Sequence, residues 1–169
     1  VEGVAWTRGV VGGHPATYRR VLSWEVARDD GARWFIPMSA SPLEAVETQA
    51  APAPVGPYNQ AVKAGGMLFC SGQIPLDPAS GTMVGGGDVE AETRQVLSNL
   101  KAVLTAAGCS PQQVVRTTVF LVDLADFAKV NAIYAETFGQ GVEPARACVQ
   151  VAALPKGAKV EIDCIAVLA

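Results

Sequence analysis

One histidine, His14, stands alone in a chain of 169 residues, and the four cysteines (Cys70, Cys109, Cys148 and Cys164) form no Cys-x-x-Cys pair. Zinc-ligand spacing is therefore absent, and no metal is expected. No Ser/His/Asp set and no phosphate-cradling loop can be assembled from the sequence, so no cofactor is expected either. No apolar run reaches the roughly 18 residues that a membrane-spanning helix needs. Charge is sparse at 17%, with a net of -3 and a pI near 5.1. That balance argues against a surface built to neutralise phosphates, so nucleic acid is not expected as a partner. Three of the cysteines fall in strand-like runs, where a free thiol is most often a small buried hydrophobe. A reducing, cytoplasmic setting is the expectation.

Half of the residues are hydrophobic, and the length suits one domain with some extra chain. The extra chain is expected in residues 1–38. This stretch holds all three tryptophans, the histidine and five arginines, but no lysine. It lacks the apolar core of a secretory signal, and its acidic residues suit no transit peptide. The composition changes at Met38. Residues 1–38 are thus expected to be an appended segment or the product of an over-long reading frame, adding little to the core, with 39–169 as the domain.

Along 39–169 the pattern predicts β-β-α-β-α-β-β. Ser39–Pro57 is too proline-rich for a helix of any length. Tyr58–Lys63 and Met67–Ser71 read as strands around Gly65-Gly66. Asp88 is placed to cap a helix over Val89–Ala107, which Gly108 ends. Val114–Val122 is β-branched throughout and predicts a strand. Asp123 is expected to cap a second helix over Leu124–Phe138, with Phe127, Val130, Ile133, Tyr134 and Phe138 on one side. Pro144–Val151 and Lys159–Val167 close the chain as strands. The architecture expected is an α/β (α+β) sandwich with both helices on one sheet face. The other face is too apolar to be left wet, and association of copies is the simplest cover.

The last two strands carry the chemistry. Alternation places Arg146, Cys148 and Gln150 on one face of the first strand, and Ala145, Ala147, Val149 and Val151 on the other. In the second, Val160, Ile162, Cys164 and Ala166 share a face opposite Glu161 and Asp163. A mid-strand guanidinium has two readings. It pairs with Glu161 or Asp163 across the sheet, or it grips a substrate carboxylate at two points, which Arg does better than Lys.

A resemblance bears on that choice. Gly56-Pro-Tyr58, Cys70-Ser-Gly-Gln-Ile-Pro75, Arg94-Gln95 with Asn99, Val115-Arg-Thr-Thr-Val-Phe120, Asp126-Phe127 with Val130-Asn131, Pro144-Ala-Arg146 and Glu161-Ile162 resemble the RidA (YjgF/YER057c) family. The match runs from about Thr48 to Val167 and leaves residues 1–38 uncovered. It implies a chorismate-mutase-like fold, a homotrimer with sites in clefts between subunits, and no cofactor. It also implies hydrolysis of reactive enamines and imines, 2-iminobutanoate and 2-iminopropanoate, to 2-oxo acids and ammonia. In the family the residue matching Arg146 binds the substrate carboxylate, and the residue matching Glu161 orients or activates water. Residues matching Tyr58, Ser71, Gly72, Asn131 and Cys148 line the pocket. Cys70, Gln150 and Asp163 depart from the commoner family residues and bear on substrate preference. The alternative is a non-catalytic trimer that senses 2-oxo acids through Arg146. An RNA-cleaving role, attributed to some relatives, is disfavoured because 39–169 carries eight Lys/Arg against twelve Asp/Glu, a net of -4.

Overall fold

The computed structural model describes residues 3–6, 20–27, 33–38 and 43–168, the first three stretches as backbone strands. His14 and the expected junction after Met38 run into residues outside that set. The chain divides into two compact units, residues 1–41 and 42–169. In the first unit β1 (Gly3–Trp6), β2 (Arg20–Ala27) and β3 (Arg33–Met38) form an antiparallel sheet in the order β1-β2-β3.

The second unit is a mixed α+β sandwich. Its strands are β4 (Glu44–Val46), β5 (Ala61–Ala64), β6 (Met67–Gln73), β7 (Val114–Leu121), β8 (Ala145–Gln150) and β9 (Val160–Val167). The six-stranded sheet has the order β4-β5-β6-β9-β7-β8, antiparallel throughout except for the parallel β7–β8 pair. β4 lies in the proline-rich lead-in, where the sequence pattern gives no strand. β5 begins at Ala61 rather than Tyr58, because the chain is still turning there: the Tyr58 N–H bonds the Gly56 carbonyl at 2.9 Å. Gly65 and Gly66 both take positive φ (56° and 78°), as a tight two-residue hairpin turn requires.

α1 spans Val89–Ala106, and the Asp88 carboxylate accepts the Glu90 N–H at 3.0 Å as its N-cap. Gly108 follows with φ 81°. α2 spans Phe127–Phe138, with Leu124–Asp126 forming a preceding 3-10 turn in place of the helix's first turn. The Asp123 carboxylate caps that turn through the Ala125 N–H at 2.8 Å. Val96, Leu100, Val103 and Leu104 from α1 meet Val160, Ile162, Cys164 and Ala166 from β9 in one buried cluster, joined by Val130, Ile133, Tyr134 and Phe138 from α2. Each Val, Leu, Ile or Phe among them contributes about 1.5–3 kcal/mol by leaving water. Both helices therefore cover the same sheet face. On the other face Phe69, Val149 and Val167 remain 42–45% exposed.

No helix among the described residues is long and apolar enough to cross a membrane. All four cysteines are free: Cys70, Cys109 and Cys164 are buried and Cys148 is half-buried.

Candidate active site

Strand order decides which face each candidate takes. β8 pairs with β7 in parallel, with Arg146 in register with Thr117. Thr117 is in turn opposite Cys164 on β9. In-register neighbours point to the same side of a sheet, so Arg146 shares the helix face with the buried Thr117 and Cys164. Glu161 sits at odd spacing from Cys164 and points to the opposite face. β7 also separates β8 from β9. The cross-sheet pair of Arg146 with Glu161 or Asp163 that alternation allows is thereby ruled out within one chain.

Arg146 rests on α2 instead. Phe127, Asn131 and Tyr134 stand at i, i+4 and i+7, on one helical face. The Arg146 Nη1 donates to Asn131 Oδ1 at 2.8 Å. Its Cζ lies 4.7 Å from the Tyr134 ring centroid and 5.6 Å from that of Phe127, close enough for both rings to stabilise the cation. Among the described residues Arg146 has no carboxylate partner. A cavity of about 400 Å³ opens beside it, lined by Asn131, Tyr134, Phe138, Glu143 and Pro144. A guanidinium held by one neutral amide and two aromatic faces keeps most of its N–H groups for an external anion.

The other half of the predicted set lies on the far face. Tyr58, Ser71, Gly72 and Glu161 line a second cavity of about 350 Å³ with Val55, Ile74 and Pro155. The β6–β9 ladder breaks register between Cys70 and Gln73, so Ser71 and Gly72 occupy a bulge, a device that re-aims backbone beside sites. Gly72 has a steric reason to be glycine. A methyl group there would overlap the Glu161 Oε1 and stand 2.8 Å from its Cδ. Burial, and then the Asp163 carboxylate, raise the Glu161 carboxyl above the ordinary value. Glu161 forms no ion pair among the described residues.

Several side chains have plainer tasks. The Ser71 hydroxyl donates to the Asn59 carbonyl at 2.6 Å, and the Tyr58 hydroxyl accepts the Val55 N–H at 3.2 Å. Asp163 is tied to β7 by accepting the Thr118 N–H at 3.0 Å. The half-buried Cys148 lies on the helix face two residues from Arg146 and packs against the core. Burial raises its thiol pKa, with Arg146 partly opposing, so the reactive thiolate is disfavoured.

Sequence reasoning assigns no site role to four residues that build this arrangement. Phe127 and Tyr134 read only as core, yet their spacing around Asn131 was the available signal. Gln60, 3% exposed, donates to the carbonyls of Thr48, Ala51 and Pro52 and accepts the Thr48 N–H, holding the lead-in against β5. Asn99 on α1 donates to the Ile74 and Leu76 carbonyls and fixes the segment after Gly72. Asn99 is one of the residues that carry the resemblance, but the task of neither amide is legible until the loop it serves is known.

The profile of the Endoribonuclease L-PSP family matches residues 48–168. A RutC family protein of Synechocystis is 58% identical over 126 residues, covering 75% of this chain and 97% of its own length. The 2-iminobutanoate/2-iminopropanoate deaminase of Mus musculus is 52% identical over 130 residues, covering 77% of this chain and 95% of its own. Among solved structures, E. coli TdcF with bound serine is 46% identical with a TM-score of 0.71, covering 75% of this chain and 99% of TdcF.

Proposed function

Since the chain belongs to the Endoribonuclease L-PSP family, the RidA group that includes the mouse deaminase, we propose that it hydrolyses 2-imino acids and their enamines, such as 2-iminobutanoate and 2-iminopropanoate, to 2-oxo acids and ammonia. The observation that carries this reading is Arg146. It is an exposed guanidinium bonded to Asn131, resting on aromatic rings, with no ion-pair partner among the described residues, and it faces a cavity that Glu143 also lines. A 2-imino acid offers such a group its carboxylate. The atoms balance simply: water adds to the imine carbon, the carbinolamine collapses, and the C–N bond breaks with the nitrogen leaving as ammonia.

Glu161 is assigned the proton handling. Burial, and then Asp163, raise its pKa above the ordinary carboxylate value, which favours a carboxyl that gives a proton to the departing nitrogen. In its ionised form it orients the attacking water. Ser71 and Tyr58 shape the same cavity, and Cys148 contributes its backbone and packing rather than its sulfur. These imines already react with water, so positioning supplies most of the acceleration needed. No metal or organic cofactor enters this chemistry.

Arg146 and Glu161 serve one substrate only if two copies meet. The reading therefore includes a homotrimer in which the uncovered sheet face and the edge strand β8 form the contact. Arg146 of one copy then faces the Tyr58–Glu161 cavity of the next. The apolar, half-exposed Phe69, Val149 and Val167 support burial of that face. A reducing, cytoplasmic setting suits four free thiols.

The test couples a threonine or serine dehydratase to this protein and follows decay of the released imine, with Arg146→Ala at equal concentration. Acceleration by wild type that the variant loses is the expected result. A folded wild type that accelerates nothing refutes the hydrolase.

A further inference from the structure

Asn131 gives Arg146 a single hydrogen bond at 2.8 Å, and one bond leaves a guanidinium free to swing about it. What sets its plane is the surface underneath. The Tyr134 ring is the nearer of the two, at 4.7 Å against 5.6 Å for Phe127. It is also the better held. The Tyr134 hydroxyl shares a 2.8 Å hydrogen bond with Thr117 Oγ1 in the interior, and the ring packs against Phe138 at 4.6 Å. Thr117 is fully buried and Tyr134 is 6% exposed. Phe127, by contrast, is 40% exposed and has no polar tether.

The register adds the connection. Thr117 is the in-register neighbour of Arg146 across the β7–β8 pair. The strand pairing that places the guanidinium therefore also places the group that anchors the ring beneath it. Packing alone does not require this hydroxyl, because a phenylalanine fills nearly the same space.

We infer that Tyr134 is a positioning residue for Arg146. Its ring is the platform that fixes the guanidinium plane, its bond to Thr117 locks that platform, and the N–H groups not bonded to Asn131 are thereby held toward the carboxylate of an imino or oxo acid. The inference rests on the reading of Arg146 as a carboxylate anchor. Tyr134 touches no reacting atom, so it acts on binding rather than on the chemical step.

Two readouts test this. The first is the nitrogen-15 NMR signal of the Arg146 guanidinium in the unliganded protein, which reports rotation about its Nε–Cζ bond. The second is the split between KM and kcat in the coupled imine assay. Tyr134→Leu is expected to speed guanidinium rotation and raise KM about 2- to 30-fold, the range of a cation–ring contact. kcat should stay within about twofold. Tyr134→Phe keeps the ring but loses the bond to Thr117, so KM should stay within about threefold of wild type while the guanidinium rotates faster than in wild type. If Tyr134→Leu does not fold, Thr117→Val removes the tether while sparing the ring, and the same faster rotation is expected. A wild-type guanidinium signal in the folded leucine or valine variant overturns the inference, as does lower thermal stability with KM unchanged. A wild type that hydrolyses no imine refutes the hydrolase reading, and the NMR comparison still decides the positioning role.

Discussion

Replacing Gly72 by alanine separates seating of the Glu161 carboxyl from every other role of that glycine. Gly72 is not among the glycines with positive φ, so the added methyl causes no backbone strain. Its effect is local: it overlaps the Glu161 Oε1 and lies 2.8 Å from Cδ and 3.0 Å from Cγ. Carbon atoms at rest stand about 3.5–4.0 Å apart, so the carboxyl must move by about 1 Å or rotate into another well. A displacement of that size at a reacting centre costs about 100-fold in rate. Stability should change by less than about 1 kcal/mol, because an off-rotamer side chain costs about 0.5–1.5 kcal/mol. Removing a glycine from the unfolded chain returns about 0.4–1 kcal/mol of it. The assay is kcat/KM for imine hydrolysis beside a urea melt, repeated in a Glu161→Ala background where nothing remains to collide with. Gly72→Ala should then cause no further loss. Full activity in Gly72→Ala, or an undiminished loss in the Glu161→Ala background, would refute the reasoning and return Gly72 to a plain backbone role.

Three other outcomes follow from the same geometry. Burial and Asp163 raise the Glu161 carboxyl, so the folded state holds that proton more tightly than the unfolded chain. The stabilisation this gives is complete below the unfolded pKa and is lost as pH rises through the folded value. Glu161→Gln should therefore resist urea better than wild type at pH 7, with the difference vanishing near pH 4, while activity falls. Cys148→Ser should keep its rate within about threefold, because burial holds the thiol in its unreactive protonated form; complete loss would make the sulfur chemical. Refolding inactive Arg146→Ala together with inactive Glu161→Gln should recover about one quarter of wild-type activity, the share of clefts that receive an intact group from each neighbour in a randomly mixed ring. No recovery would place both groups in a single chain's site or remove one from the reaction.

The sheet order explains why some of this was readable and some was not. Alternation along 144–151 and 159–167 correctly separates Arg146 from Ala145, and Glu161 from Ile162, because a side-chain period of two is local. Asp88 and Asp123 announce their helical turns for the same reason: a cap acts within three residues. Nothing local says that β7 inserts between β8 and β9, and that insertion removes the cross-sheet partner of Arg146 and assigns it to the face opposite Glu161. The parallel β7–β8 pair is nonlocal, closed through α2, and α2 supplies Asn131 and Tyr134. The crossover that separates Arg146 from Glu161 thus also delivers the platform on which Arg146 rests. Both half-sites lie against well-packed scaffolding: Tyr134 is tethered to Thr117, and Gly72 follows a bulge whose next segment Asn99 holds. Each half is therefore pre-organised on its own, which lowers the ordering cost of any assembly of copies in which the proposed trimer would join them. Were the two halves to share one face of one chain, the raised Glu161 carboxyl would lie near a permanent cation and its pKa would fall. Their separation on opposite faces leaves burial and Asp163, with no cation to oppose them, to set the upward direction of the Glu161 shift.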